Sequence, residues 1–447
     1  MSSLSLRFLP TRLRCASLLA LLLASGAAQA ENLNELYEAA RAYDATYLSA
    51  RSLAESAEFR AAQADALRLP SASLTGSANV SEISAVTGAS VGSRTATLGL
   101  QGRHPLFNRG NAATFEQAQR VLAVSKADLE TAEQDLILRV AQAYFDVLAA
   151  QDALSAAQAF KKAVSEQLAS AKRNFEVGTA TITDTRESQA RFDLATAREL
   201  VTDNDLRTRR TVLDQLVGRA AVAPNGLALP VALPPVLPAE MDAWVATAEA
   251  RHPTIRKAQL GQDVARLETE KARAGAMPTV DLVGSLGTSN NAGSATLVNS
   301  NRGTATTGSV GVQLNMPIYT GGAVQNRIRE TVVLEEKARQ DLEAARRGVT
   351  LGTRSAFLGV QSGLGQVKAL EAAEASTKLA LEATELGYKV GVRVNLDVLN
   401  AQSQLFETRR DLSKARYDVI VNGLKLRQAS GQLQPQDVRN IDALLAR

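Results

Sequence analysis

Tyr388, Arg393 and Asp397 bracket a Val390-Gly391 turn and bring a phenolic hydroxyl, a guanidinium and a carboxylate within ten positions of one another. Groups of these types make charge-assisted hydrogen bonds, roughly twice as strong as neutral ones, and the guanidinium donates in a fixed planar fork. Such a set fastens one segment to another. The same turn occurs 213 positions earlier, at Val177-Gly178, but there Phe175, Ala180 and Glu187 stand where the later copy has Tyr388, Arg393 and Asn400. Asp184 and Asp397 occupy equivalent places. Only the second turn carries the extra hydroxyl donor and the fixed guanidinium, and that asymmetry locates the moving part.

Elsewhere the sequence holds little that reacts. His104 and His252 are its only histidines; they lie in different elements and form neither an i, i+4 ligand pair nor a Cys/His cluster, so no metal site is expected. A phosphate loop and a Gly-x-Gly-x-x-Gly fingerprint are both missing. Trp244 reads as a packing residue. The expectation is a protein that is not an enzyme and uses no cofactor.

The first 30 residues read as an export signal. Arg7, Arg12 and Arg14 precede an apolar run from Ala16 to Ala24, and Ala28-Gln29-Ala30 supplies the cleavage pattern, so the mature chain is expected to begin near Glu31. Cys15, the single cysteine, lies before the apolar run and is badly placed for lipidation, which leaves the mature chain no thiol chemistry. The net charge of +4 includes the three leader arginines, and removing them leaves +1. That balance argues against a nucleic-acid partner.

Stepping along the mature chain, the two turns belong to two copies of one unit. Leu69-Pro70 matches Met277-Pro278, Pro105 matches Pro317, Tyr144 matches Phe357 and Gly218 matches Gly431. The first repeat spans 31–218, with helices over 31–68, a β-hairpin over 71–107 and a helical hairpin over 110–218. The second spans 239–431, with helices over 239–275, a β-hairpin over 279–319 and a helical hairpin over 322–430. A linker at 219–238, punctuated by Pro224, Pro230, Pro234, Pro235 and Pro238, is expected to wrap along the outside, and 432–447 forms a short C-terminal extension. The outgoing helices are predicted to be very long, on the order of 100 Å at about 1.5 Å per residue. Leu334, Ala338, Leu342, Ala345, Val349, Thr353, Ala356 and Val360 mark one apolar stripe along the second of them.

The strands show period-two patterning. Val310, Val312, Leu314 and Met316 alternate with Ser309, Gly311, Gln313 and Asn315, and weaker alternations occur around Leu74–Val80, Ala96–Leu100 and Val280–Leu286. Between the paired strands, 84–93 and 288–308 read as Gly/Ser/Thr/Asn loops. An exported chain with such strands is a candidate to span a membrane as a closed β-barrel, because an open edge in lipid leaves backbone groups unpaired. Four strands per chain are too few for a barrel, since the smallest common ones have about eight. Oligomerisation follows, with dimer, trimer and tetramer all open. The rival reading is a non-conducting trimeric coiled-coil tether or adhesin stalk in the periplasm, which has no use for two-faced strands.

At 33–431 the chain resembles the outer-membrane efflux and secretion channels of the TolC type. The resemblance rests on Pro105-Leu106-Phe107-Asn108-Arg109-Gly110, on Pro317-Ile318-Tyr319-Thr320-Gly321-Gly322, and on the tip segments 174–184 and 387–397. It implies a mixed α and β fold: a homotrimer with a 12-stranded outer-membrane barrel, four strands per chain, continued by a long periplasmic α-helical barrel. It implies partners as well, a periplasmic adaptor protein and an inner-membrane transporter of the RND or ABC kind, with Val310, Val312, Leu314 and Met316 against outer-membrane lipid. The adaptor would dock on Val177, Gly178, Thr179, Val390, Gly391 and Val392. By the same resemblance Tyr388 and Arg393 bond to Thr183 and Asp184 across neighbouring hairpins and close the periplasmic entrance, while Asp397 lines the narrowed duct. A second carboxylate is expected one turn beyond Asp397, and Asn400 stands there instead.

Overall fold

The computed structural model describes residues 31–84, 90–228, 231, 233–293 and 303–446. The leader at 1–30 lies outside the described residues. In chain order the elements are α1 (Leu33–Tyr43), α2 (Ala45–Ala66), β1 (Ser71–Ser84), β2 (Ser90–Phe107), α3 (Arg109–Glu176), α4 (Ile182–Val217), α5 (Met241–Arg251), α6 (Pro253–Ala274), β3 (Thr279–Gly293), β4 (Gly303–Asn315), α7 (Ala323–Lys389), α8 (Asn395–Ala429) and α9 (Pro435–Asp442). The described residues fall into two compact units that cut across the sequence repeats, one drawn from 31–48, 133–244 and 353–446, the other from 49–132 and 245–352.

The second of these units contains one antiparallel sheet in the order β1-β2-β3-β4. Its register aligns the alternations strand to strand. Leu74 opposes Leu100, Leu100 opposes Leu286, and Val310, Val312 and Leu314 oppose Gly284, Leu282 and Val280. Directly opposed residues share a face, so one face is apolar and the other carries Ser73, Thr75, Ser77, Gln101, Thr97, Ser285, Ser309 and Gln313. On the polar face Ser77 bonds Thr97 at 2.7 Å and Ser285 bonds Ser309 at 2.8 Å. Leu74, Leu98, Leu286, Val310, Val312 and Leu314 are all exposed on the apolar face, Val310 to 83%. Away from the sheet, Ala248, Ile255, Leu342 and Val349 form a small core between α5, α6 and α7.

The strands are longer than expected. β1 runs to Ser84 and β2 starts at Ser90, while β3 reaches Gly293 and β4 starts at Gly303, so most of the two predicted loops is strand. What is left, 85–89 and 294–302, lies outside the described residues. Composition misled here because Thr and Ser on a hydrogen-bonded ladder satisfy each other across strands, as Asn290 and Thr304 do at 3.1 Å. At the other end β4 stops at Asn315, one residue before Met316.

In the first unit α4 packs on α8 and the largest buried side chains include Tyr37, Tyr144, Phe145, Leu213, Leu399 and Leu426. Phe145 stacks on Tyr417, whose hydroxyl donates to Asp152 at 2.9 Å; burial, then Asp152, push that phenol well above its usual range. Small residues permit close helix approach, and a Cβ on Gly363 would lie 2.9 Å from Val419. Trp244 packs with Phe357, Val360 and Leu426.

Along the inter-repeat linker Arg219, Ala220, Ala221, Pro234, Pro235, Leu237 and Pro238 are exposed, and two residues tuck inward. Val222 and Pro224 are buried, and the linker backbone pairs with two distant segments: Glu31 N donates to Ala223 O at 2.9 Å, and Ala446 N donates to Gly226 O at 2.7 Å. The C-terminal extension is likewise structural. It contains α9, whose Asp442 accepts from Asn34 N and so caps α1, and it buries Leu433, Val438 and Ile441. Each predicted pair of short helices is broken at one residue, Asp44 between α1 and α2 and His252 between α5 and α6. Asp44 accepts from Tyr47 N at 2.8 Å, and His252 Nδ1 accepts from Thr254 N at 3.1 Å.

Candidate functional site at the hairpin tips

Both hairpins turn by the same backbone device. Thr179 N donates to Asn174 O at 2.8 Å and Gly178 N to Phe175 O at 3.0 Å; in the second tip Val392 N donates to Gly387 O at 2.9 Å and Gly391 N to Tyr388 O at 3.1 Å. This is the paired closure of a helix end that needs a left-handed residue, and Gly178 (φ 77°) and Gly391 (φ 82°) supply it. Val177, Thr179, Val390 and Val392, the other expected adaptor-facing residues, are all exposed.

The side chains then diverge. In the first tip Thr181 and Asp184 cap α4 reciprocally: Asp184 N donates to Thr181 Oγ1 at 3.2 Å, and Asp184 Oδ2 accepts from Thr181 N at 2.9 Å and Thr181 Oγ1 at 2.7 Å. In the second tip the equivalent of Thr181 is Val394, which has no acceptor, so only the Asp397 half of the cap exists, at 3.4 Å from Val394 N. Arg393 Nη1 instead lies 3.7 Å from Asp397 Oδ2, with the arginine largely in solvent.

Tyr388 and Arg393 are therefore held inside the chain by partners other than Thr183 and Asp184. The Tyr388 hydroxyl accepts from Asn174 Nδ2 at 3.5 Å, the outer limit of a hydrogen bond. Thr183 is exposed, and Asp184 is half-buried beside its cap. Asn400 turns toward α4, where Arg191 Nη2 donates to its Oδ1 at 2.9 Å. Behind the tips Asn395, only 2% exposed, joins both hairpins: its Nδ2 donates to Ser188 Oγ at 2.7 Å, and its Oδ1 accepts from Gln167 Nε2. The Thr-x-x-Asp of the first cap was readable as a helix start, whereas Asn395 and Arg191 carry no local mark and were missed. Among the described residues no cluster of His, Cys, Asp or Glu is placed to hold a metal ion.

Two-faced strands of a single sheet, joined to helices of 68 and 67 residues that end in capped tips, define a channel-forming subunit of the outer membrane. The model of the outer membrane efflux protein family matches residues 25–219 and 244–432, and the chain belongs to that family. It is 33% identical over 419 residues to the outer membrane protein TolC of Vibrio cholerae, covering 94% of this chain and 95% of the relative. It is 34% identical over 351 residues to the alkaline protease secretion protein AprF of Pseudomonas aeruginosa, covering 78% and 71%. The crystal structure of the outer membrane protein VceC from Vibrio cholerae shares the fold, with a TM-score of 0.76 at 20% identity over 89% of this chain and 96% of that one. The protein is thus an outer-membrane exit duct with a periplasmic portion, and its family and fold are those of channels rather than enzymes. The stalk reading gives way to that family membership.

Proposed function

We propose that the chain works as a homotrimer in which three four-stranded sheets join edge to edge, β1 of one subunit against β4 of the next, into a 12-stranded barrel. The observation that carries this is the sheet: an exposed apolar face, a polar face, and two edge strands with no partner among the described residues. Val310, Val312, Leu314 and Met316 then face lipid, and the polar face lines water. The trimer continues into the periplasm and meets an adaptor protein at the tips and an inner-membrane transporter of the RND or ABC kind. The secretion named for the Pseudomonas relative supports export of protein cargo, and the family description supports efflux of smaller molecules.

At the entrance, Arg393 and Tyr388 of one hairpin bond to Asp184 and Thr183 of a neighbouring one when the duct is shut. Asp397 supplies one carboxylate per subunit to the constriction. Residues 84–93 and 288–308 then lie toward the cell surface and the Val-Gly turns deep in the periplasm.

The barrel is tested by substitution on its two faces. Val312→Arg is expected to abolish heat-modifiable, SDS-resistant trimers, because a charge on an outward face at the bilayer midplane costs about 2–4 kcal/mol. Gln313→Arg should leave trimer yield intact and shift ion selectivity in planar bilayers. Equal behaviour of the two variants would refute the facing assignment.

A further inference from the structure

Along α4 and α8 the side-chain contacts keep one offset. Arg191 bonds Asn400 at 2.9 Å, and Arg198 Nη1 donates to Glu407 Oε1 at 3.2 Å; in both pairs the partners are 209 positions apart. The two rungs are seven residues from each other, close to two helical turns, so they lie on one face of the helix pair. Ala195 and Leu399 pack with Phe160, Phe192 and Phe406 in the core beside them. The rungs are therefore fixed in register by a packed core.

The same offset of 209 relates Asp184 to Arg393, in the turn just before α8, the pair assigned above to the closed entrance. In this structure that outermost rung is unmade. Asp184 is engaged in its helix cap, and Arg393 faces Asp397. The next rung inward is formed.

We infer that Arg191 and Asn400 are a second latch of the periplasmic entrance, which limits how far the entrance widens when the outer rung opens. The inference rests on the gate reading but adds residues to it. The latch is a guanidinium bonded to a neutral amide at an exposed position, so it lacks the second charge that would make it an ion pair. Asparagine at 400 keeps the latch releasable. A carboxylate there would strengthen the latch and would be partly neutralised by Arg191, so it would not act as a free member of a cation-binding ring.

The test is single-channel conductance of purified trimers, with SDS-resistant trimer yield as the folding control. Arg191→Ala added to Tyr388→Phe with Arg393→Ser should raise conductance about twofold or more above that double variant, and Arg191→Lys should raise it less. Asn400→Asp in the double variant should return conductance toward the parent, and Arg191→Ala should cancel that return. Block by a trivalent lanthanide gives an independent reading: Asn400→Asp should barely change it while Arg191 is present and should strengthen it once Arg191 is alanine. Equal conductance of the triple and double variants, or a stronger block from Asn400→Asp whatever stands at 191, overturns the latch. If the double variant conducts like the parent, the outer gate fails instead, and Arg191→Ala alone must then raise conductance for the latch to stand.

Discussion

The two hairpin tips share a backbone and differ in what their side chains are free to do. Each turns through a left-handed glycine with the same pair of closing hydrogen bonds. In the first tip Asp184 takes part in a complete reciprocal cap with Thr181; in the second, Val394 has no hydroxyl to donate, so the Asp397 carboxylate is loosely held and Arg393 lies over it at 3.7 Å. One tip has a complete cap and the other a partial one, and under the proposed gate it is the second that exchanges partners. A duplicated element thus keeps its fold while one copy is released for switching, because the turn depends on backbone bonds and the switch on side chains alone.

The largest expected effect lies in the exchanging tip. Tyr388→Phe with Arg393→Ser should raise single-channel conductance several-fold without lowering trimer yield, since each lost contact shifts a bistable entrance toward its open state. Unchanged conductance in properly inserted trimers would reduce both residues to plain tip residues. The shared backbone is probed by Gly178→Val and Gly391→Val. Each should cost the local hairpin about 1–2 kcal/mol, because a β-branched residue resists positive φ, and the two costs should match. A clear inequality in amide hydrogen exchange near the tips would break the claim of one common turn.

The caps should respond with opposite signs. Thr181→Ala is expected to loosen the start of α4 by about 1 kcal/mol, whereas Val394→Thr should complete the second cap and stabilise the start of α8 by a similar amount. Hydrogen exchange over 182–186 and 395–399 reads both. If Val394→Thr left α8 unprotected, the missing hydroxyl would not be what frees Asp397.

A smaller effect separates the two single-residue helix breaks, Asp44 and His252, by pH. Arg139, which donates to both Asp44 oxygens at 2.9 Å, holds that carboxyl below its usual range. Burial lowers the pKa of His252 from 6.5. Both folded values are depressed, so both contributions are present above the unfolded pKa and disappear as pH falls. The His252 contribution should begin to disappear below about 6.5 and that of Asp44 only below about 3.9. Thermal melts of His252→Asn against the parent should converge as pH drops through the histidine window. Parallel curves from pH 8 to pH 5 would remove the assignment.

Much of this was legible in the residues. Alternation at Val310–Met316 announced a two-faced strand, and Val-Gly announced a turn, because periodicity and turn chemistry are local properties read from neighbours in sequence. The loop assignment at 288–308 failed since Gly, Ser and Thr do not by themselves distinguish a polar strand face from a loop; only the partner strand decides.

The sequence by itself determined the duplication, the turn positions, the alternation of the strands and the chemical asymmetry between Phe175 and Tyr388, between Ala180 and Arg393, and between Glu187 and Asn400. Tertiary structure alone decided which of those groups were free. It brought Arg191 to Asn400 across 209 positions and buried Asn395 between Ser188 and Gln167. Those pairings depend on the register of two packed helices, which is fixed by the volume of Phe160, Leu399 and Phe406 in the core beside them and by no residue's type taken alone.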